Sequence, residues 1–274
     1  MIGTANAIAT AKILGIENFS HISTAFLFGD YAGLGLEQPH PDLGQVFNNP
    51  YEESKFLAEQ LVTGSKLNWI LFRPPIVVGD SKDGAVCGFS GYYGFMRALW
   101  RVKDAALNGS DEDNQFLRQA GFRMCGNRLS LPIDVPGLKN SVLTIACVDF
   151  VVDAMIEIAQ LPRCWHEVYN LVPVQSKTYI WWLDTSLRIL GIEGVRVVEP
   201  SSLIIDRSRG RHHSVIQRRI VQGCKPYIPY IAGATTFEPS NLSKVLPTCE
   251  HPDINEQLVS KLLAYAVEHR FGET

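Results

Sequence analysis

The sequence lacks the features of several specialised protein classes. Its charges nearly balance, with a formal net charge of -3, so a basic surface for nucleic acid is not expected. It has no run of about 18 apolar residues that could span a membrane. The amino terminus lacks the basic start and apolar run of a secretory leader. These absences predict a chain that acts in the cytoplasm, with neither nucleic acid nor membrane as a partner.

The 6 cysteines also lack the spacing of a specialised site. None forms a CxxC pair and no histidine spacing suggests zinc, so no metal is expected. A chain of 274 residues without secretory features is not expected to depend on disulfides. Basic residues do cluster in one region, which we interpret first as a solvated face and second as a site for phosphate or another anion. They are Arg207, Arg209, Arg211, Arg218 and Arg219.

The first 80 residues alternate between helical and strand patterns, which predicts a parallel α/β sheet. An Ala-rich helix is predicted over 4–14, and a strand over 19–28, where β-branched and aromatic residues dominate. A second helix opens at Pro50, with an asparagine before it as the cap. Residues 69–78 are nearly all apolar, as buried parallel strands are.

Beyond residue 80 the pattern is less regular. Residues 108–127 are polar and predict a loop, whereas residues 149–159 predict an amphipathic helix. The apolar side of that helix is expected to consist of Val152, Met155, Ile156 and Ala159. The last helix is predicted over 253–269, with Asp253 and Glu256 in capping-box spacing.

Two residues of the second predicted helix can carry chemistry together. Tyr51 and Lys55 are four residues apart, so their side chains share one helix face. An ammonium beside a phenol favours the phenolate. A tyrosine made more acidic in this way can donate a proton to a carbonyl oxygen as a hydride arrives, or accept one in the reverse direction. By itself the spacing also occurs on ordinary solvated helices.

The neighbouring strands supply further polar groups and an interrupted backbone. Ser23 and Thr24 follow the first predicted strand, where ligands bind in parallel sheets, and Thr24 could donate a hydrogen bond to the same carbonyl oxygen. Pro74 and Pro75 interrupt the second strand and leave backbone accessible to a flat ligand. Each feature alone is also consistent with residues that only end a strand and bind no ligand.

The order of these motifs resembles the extended short-chain dehydrogenase/reductase superfamily. The matching runs are I-G-T at 2–4, S-T-A at 23–25, Y-x-x-S-K-x-x-A-E at 51–59 and R-P-P-x-V-V-G at 73–79. Within the superfamily the chain is most similar to the thioester-reductase branch, which includes fatty acyl-CoA reductases. The same branch contains the terminal reductase domains of carboxylic acid reductases and of peptide or polyketide synthases.

The resemblance implies a role for each matching residue. Tyr51 would be the catalytic acid/base and Lys55 would hold the nicotinamide ribose. Thr24 would orient the carbonyl, with Ser23 beside it as a second contact to substrate. Pro74 and Pro75 would lie against the nicotinamide carboxamide, and Gly91 and Tyr92 would contact substrate. The implied cofactor is NADP, with NAD possible, and the implied substrate is an acyl thioester bound to CoA or to a carrier protein.

One part of the superfamily pattern is missing near the start. The superfamily begins with a strand and a Gly-rich turn that holds the cofactor diphosphate at a helix amino terminus, and no such motif precedes the I-G-T run at 2–4. We therefore expect about 100 residues of a dinucleotide-binding unit to be absent. Either the sequence is a truncated form, or another chain or domain supplies that half.

Together these observations predict an α/β fold that is the carboxyl-side half of a Rossmann-like parallel sheet, with a smaller, mostly helical substrate-binding cap. Residues 1–175 would form the partial dinucleotide-binding and catalytic domain, and residues 176–274 the cap, with segments that can interleave. Two alternatives stay open. One is a nucleotide-sugar epimerase, dehydratase or other alcohol dehydrogenase of the same superfamily, and the other is a catalytically incompetent fragment or subunit.

Overall fold

The structure is a computed structural model that describes residues 1–273. Its α-helices are α1 (Ile2–Ile13), α2 (Pro50–Thr63), α3 (Tyr92–Asn108), α4 (Asp111–Gln119), α5 (Val148–Ala159), α6 (Tyr179–Leu190), α7 (Arg211–Cys224), α8 (Ile228–Ile231), α9 (Ser240–Val245) and α10 (Glu256–Glu268). Short 3-10 turns occupy Pro162–Cys164, Pro200–Ser202, Lys225–Tyr227 and Arg270–Gly272.

The strands are short and spread over several small sheets. They are β1 (Asn18–Ile22), β2 (Leu34–Gly35), β3 (Asn68–Arg73), β4 (Ile76–Val78), β5 (Arg123–Cys125), β6 (Arg128–Ser130), β7 (Asp134–Pro136), β8 (Val142–Leu143), β9 (Ile145–Cys147), β10 (Glu167–Asn170), β11 (Lys177–Thr178), β12 (Ile192–Glu193), β13 (Arg196–Val198) and β14 (Thr236–Phe237).

These elements form two compact units, each assembled from three chain segments. The first unit consists of residues 1–78, 144–176 and 234–252, and the second consists of residues 79–143, 177–233 and the residues from Asp253 onward. In the first unit, β3 lies between β1 and β10 in a parallel sheet. The pairs β4–β9 and β2–β14 are also parallel. The predicted α/β, Rossmann-like fold class is therefore confirmed.

Strand β3 forms the centre of the first unit because both of its faces are buried. Trp69 and Leu71 pack with residues of α1 and α2 on one side of the sheet. Ile70 and Phe72 pack with residues of α5 on the other side. Consecutive strand residues point to opposite faces, so a strand buried on both sides needs a continuous apolar run. This explains why the apolar run that begins at Trp69 indicated a buried strand at β3.

Strand β1 has β3 as its neighbour, and within residues 1–273 its other edge has no strand beside it. Large apolar side chains are exposed in β1 and at the end of α1, which precedes it in the chain, with 52% exposure at Ile22, 84% at Ile13 and 66% at Leu14. An unpaired edge flanked by exposed apolar side chains is a typical site of strand pairing or association.

Both predicted strands are longer than the strands that form. The strand predicted over 19–28 ends at Ile22, because the Thr24 hydroxyl accepts a hydrogen bond from the Phe26 amide at 3.2 Å and starts a turn. The strand predicted over 69–78 divides into β3 and β4 at Pro74 and Pro75. Proline has no amide hydrogen to donate, so the ladder cannot continue through these positions.

Three predictions about helices are also corrected. Residues 108–127 are not a single loop, because Ser110 and Asp113 form a capping box that starts α4. Helix α5 buries Phe150, Val151, Ala154 and Ile158, not the predicted side, of which Val152 and Ile156 are exposed. Helix α10 begins later than predicted, because Asn255 caps it by accepting from the Leu258 amide.

The second unit is rich in helices. It contains α3, α4, α6, α7, α8 and α10 with three short sheets, in the orders β12–β6–β5, β13–β7 and β11–β8. Helix α6 ends at Gly191, whose φ of 61° is the left-handed conformation that glycine adopts most readily. None of the helices in residues 1–273 has the length and apolar character needed to cross a membrane.

Candidate active site

The start of α2 fixes the position of the two candidate catalytic residues. The Asn49 side chain accepts a hydrogen bond from the Glu52 amide at 3.0 Å, and the Glu52 carboxylate accepts from the Asn48 amide at 3.0 Å. Pro50 occupies the first turn, where its missing amide hydrogen has no consequence. Tyr51 therefore lies in the first turn of α2, and Lys55 follows one turn later.

Lys55 connects α2 to the end of β1. Its Nζ donates to the Ile22 carbonyl oxygen at 2.7 Å and lies 5.8 Å from the centroid of the Tyr51 ring. Burial lowers the pKa of Lys55, and the nearby Glu59 carboxylate opposes that shift. The Tyr51 side chain is 53% exposed, so its phenol is accessible to a ligand. The helix and the strand exit thus bring an ammonium and a phenol together.

The two hydroxyl residues lie directly after β1. Ser23 and Thr24 are 2% and 4% exposed. The Ser23 amide donates to the Phe72 carbonyl at 2.7 Å, so the chain continues beside β3 after the strand ends. The Thr24 oxygen accepts from Phe26 and keeps its own hydrogen to donate. The buried Ser23 oxygen has no partner among residues 1–273.

The proline pair ends the central strand beside these hydroxyl residues. The Ala25 amide donates to the Pro74 carbonyl oxygen at 2.9 Å, which joins the segment after β1 to the break in β3. Pro74 is half-buried and Pro75 is buried. Proline cannot continue the ladder, so the backbone leaves it here, and a contact between these prolines and the cofactor stays a prediction.

An ion pair missed by the sequence analysis holds α2 against β3. Arg73 donates from Nε to Glu59 Oε1 at 2.9 Å and from Nη2 to Glu59 Oε2 at 2.6 Å, and both side chains are almost completely buried. Arg73 also donates to the carbonyl oxygens of Leu36 and Gln38. Glu59 and Arg73 both lie in the motifs that carry the superfamily resemblance, which was the available signal.

A second missed group is Glu37, which joins three distant parts of the first unit. Its carboxylate accepts hydrogen bonds from the backbone amides of Asn170, at 2.7 Å, and Asn241. Burial nevertheless raises the pKa of Glu37 to about 7. The amides come from the end of β10 and from α9, so no local sequence pattern could have identified this contact.

The two remaining candidate residues belong to the second unit. Gly91 precedes α3 with a φ of 57°. Tyr92 is buried, its hydroxyl lies 2.8 Å from Ser186 Oγ, and burial raises its pKa. The Tyr92 hydroxyl therefore already has a hydrogen-bond partner. A contact of Gly91 or Tyr92 with substrate stays a prediction.

The same segment spells G-x-x-G-x-x-G at residues 88–94, which span the loop before α3 and the first turn of that helix. The last of these glycines serves close packing, since a Cβ at Gly94 would approach the Tyr227 hydroxyl to 2.0 Å, whereas a Cβ at Gly88 would meet nothing within 4 Å. Tyr92 and Tyr93, between the last two glycines, are buried. This turn therefore does not offer an open cradle for a diphosphate.

The residues of the first unit fit one end of a dinucleotide. Lys55 and Tyr51 offer donors to a ribose hydroxyl, and the unpartnered Ser23 oxygen and the interrupted backbone at Pro74 lie beside the same strand exit. No group of three or more His, Cys, Asp or Glu side chains that could hold a metal occurs within residues 1–273.

Solved structures with the same fold include reductases and sugar-nucleotide enzymes. The terminal R domain of the myxalamid PKS-NRPS pathway aligns over 98% of this chain and 63% of its own, with a TM-score of 0.69 and 18% identity. An archaeal thiolation-reductase di-domain aligns over 99% and 53%, with a TM-score of 0.62 and 14% identity. UDP-glucuronic acid 4-epimerase from Bacillus cereus, in complex with NAD, aligns over 100% and 68%, with a TM-score of 0.59 and 13% identity.

The chain thus spans less than two thirds of the R domain that it resembles. A comparison of the sequence with curated proteins gave no match. An NAD-binding family described as male sterility protein matches residues 1–155, which is more than half of the chain. The chain therefore belongs to this NAD-binding family, described as male sterility protein.

Proposed function

We propose that this chain supplies the catalytic residues of an NADPH-dependent reductase that converts an acyl thioester to an aldehyde. The observation that carries the proposal is the position of Lys55, whose Nζ lies at the exit of β1 and close to the exposed Tyr51 ring. This contact supports a shared site for Tyr51, Lys55 and the hydroxyls of Ser23 and Thr24, because Ser23 and Thr24 directly follow Ile22 in the chain.

Each residue has a distinct role in the proposed reaction. When bound, the cofactor supplies the hydride that reduces the thioester carbonyl. Tyr51 donates a proton to the carbonyl oxygen, and Thr24 donates a hydrogen bond that stabilises the developing negative charge. Lys55 binds the ribose and, as a nearby cation, favours loss of the Tyr51 proton. Collapse of the tetrahedral adduct breaks the carbon–sulfur bond and releases the thiol.

We also propose that a dinucleotide-binding segment outside this sequence completes the site. The unpaired edge of β1 and the exposed side chains of Ile22 in that strand and of Ile13 and Leu14 at the end of α1 support this proposal. A further parallel strand and its helix would bury those side chains and provide the amino-terminal turn that binds a diphosphate. Another part of the same protein or a separate chain could supply the segment.

The thioester substrate is supported by similarity to a terminal R domain of a PKS-NRPS pathway and to a thiolation-reductase di-domain of a peptide synthetase, and it could be linked to CoA or to a carrier protein. A direct test measures release of free thiol from acyl-CoA together with oxidation of NADPH, and compares it with reaction of a sugar nucleotide. The assay uses protein that includes the dinucleotide-binding segment.

Equal amounts of thiol and oxidised cofactor would support the proposal. Reaction of the sugar nucleotide alone would favour an epimerase, dehydratase or alcohol dehydrogenase of the same superfamily. Tight cofactor binding without reaction of either substrate would favour a catalytically incompetent chain.

A further inference from the structure

The second unit carries a continuous row of three hollows along α3, α4 and α7, which we call the α7 surface. The first hollow, of about 490 Å³, lies between α4 and the β5–β6 hairpin. The second, of about 360 Å³, lies between α3, α4 and α7, and the third, of about 660 Å³, lies along α7 and the loop before it. Leu117 lines the first two and Arg219 lines the last two, so adjacent hollows share a border.

The rim of the α7 surface is positively charged. Six exposed arginines line the hollows without forming an ion pair within residues 1–273: Arg118, Arg123, Arg207, Arg211, Arg218 and Arg219. No lysine lines any of the three hollows. The net charge of the chain is -3, so this concentration of positive charge is local. Such a patch attracts a partner of opposite charge and directs its approach.

The centre of the same surface is apolar. The middle hollow is lined by side chains of three helices, including Val102 of α3, Phe116 of α4, and Ile216 and Ile220 of α7. An apolar centre surrounded by a polar rim is the usual anatomy of a protein–protein interface, in which arginine is enriched and lysine is depleted. Arginine is also suited to carboxylates, because its planar guanidinium forms two parallel hydrogen bonds with one carboxylate group.

We propose that the α7 surface binds an acidic amphipathic helix of a partner protein. Apolar side chains of that helix would enter the middle hollow, and its carboxylates would pair with the arginines on either side. Residues 211–222 of α7 span about 16 Å, or three turns, so the surface matches a helix of similar length. The proposal is independent of the thioester chemistry and of the dinucleotide-binding segment, since it uses only residues of the second unit.

The test uses the full chain and a synthetic helical probe, a fluorescent peptide of about five turns with leucine on one face and glutamate on the other. A matched peptide has glutamine in place of glutamate. Fluorescence anisotropy measures binding at low and high salt, with single-stranded DNA and anionic phospholipid vesicles as competitors. The variant Arg211→Glu/Arg218→Glu reverses two positive charges that line the third hollow. The matched variant Arg163→Glu changes an exposed arginine of the first unit.

The proposal expects preferential binding of the glutamate peptide, weakened by salt because the charges are exposed. Arg211→Glu/Arg218→Glu should weaken binding about tenfold or more, whereas Arg163→Glu should change it less than about twofold. Equal affinity for the two peptides, an unchanged affinity in the double variant, or stronger binding of DNA or vesicles would overturn it. The peptide comparison on the unmodified chain decides the matter even if a variant does not fold.

Discussion

Replacement of Arg73 by methionine should destabilise the first unit strongly. Arg73 is buried at the end of β3, and its side chain forms an ion pair with buried Glu59. It also donates to the carbonyl oxygens of Leu36 and Gln38. Methionine can fill much of the space but can donate no hydrogen bond. The variant therefore leaves a buried carboxylate and two carbonyl groups without these donors.

The expected magnitude follows from this burial. Removing one member of a buried ion pair typically lowers the free energy of unfolding by about 3–5 kcal/mol, against a total of about 5–15 kcal/mol for a typical domain. Removing both charged groups is far less harmful. The double variant Arg73→Met/Glu59→Met should therefore recover most of the stability that Arg73→Met loses.

Urea denaturation measures the loss, and hydrogen exchange of the β3 amides reports the first unit separately. The exposed Arg196–Asp134 pair of the second unit provides the control, because Arg196→Met should change stability by less than about 1 kcal/mol. If Arg73→Met is as mild as Arg196→Met, or if the double variant is as unstable as Arg73→Met alone, the ion pair does not hold α2 on β3 as described.

Two further predictions concern pH and association. Burial raises the pKa of Glu37 to about 7, so between pH 4.5 and 7 the folded state holds a proton that the unfolded state has lost, and stability falls as pH rises through this range. Urea denaturation measures the free energy of unfolding of Glu37→Gln minus that of the unmodified chain, and this difference should rise by about 1–3 kcal/mol from pH 5 to pH 8. The expected rise is smaller than the full change in pKa implies, because the side chain is partly exposed. Parallel pH profiles of the two proteins would contradict this. The chain alone should associate through the unpaired edge of β1 and bind NADPH weakly. Ile22→Lys should reduce that association in light scattering. A stable monomer that binds NADPH with low-micromolar affinity in a fluorescence titration would contradict both expectations.

Local sequence signals predicted the elements whose ends are set locally. Helix α2 begins as expected because Asn49 caps it and Pro50 suits its first turn. The polar segment before α4 was wrongly predicted as part of a loop, because the apolar pattern is weak and only Leu117 of the helix is buried. Ser110 and Asp113 were nevertheless readable as a capping box. In such a helix the cap gives more information than the hydrophobic period.

Contacts between distant residues limited the prediction of the site. The spacing of Tyr51 and Lys55 predicted that they share a helix face, and the 5.8 Å separation of the Lys55 ammonium from the Tyr51 ring agrees with it. The contact of Lys55 with Ile22 depends on how α2 packs beside β1. Glu37 bonds to residues much later in the chain, so its role becomes visible only when β10 and α9 are in place.

The most direct test of the central claim is the rate of a single turnover of acyl-CoA with NADPH for Tyr51→Phe, in protein that includes the dinucleotide-binding segment. The variant keeps the ring and removes the proton donor, so the rate should fall by about a hundredfold to ten-thousandfold while NADPH still binds. Lys55→Ala should weaken both binding and rate. Tyr31→Phe, at a tyrosine outside the candidate site, should leave both unchanged. An unchanged rate for Tyr51→Phe would contradict the assignment of Tyr51 as the acid.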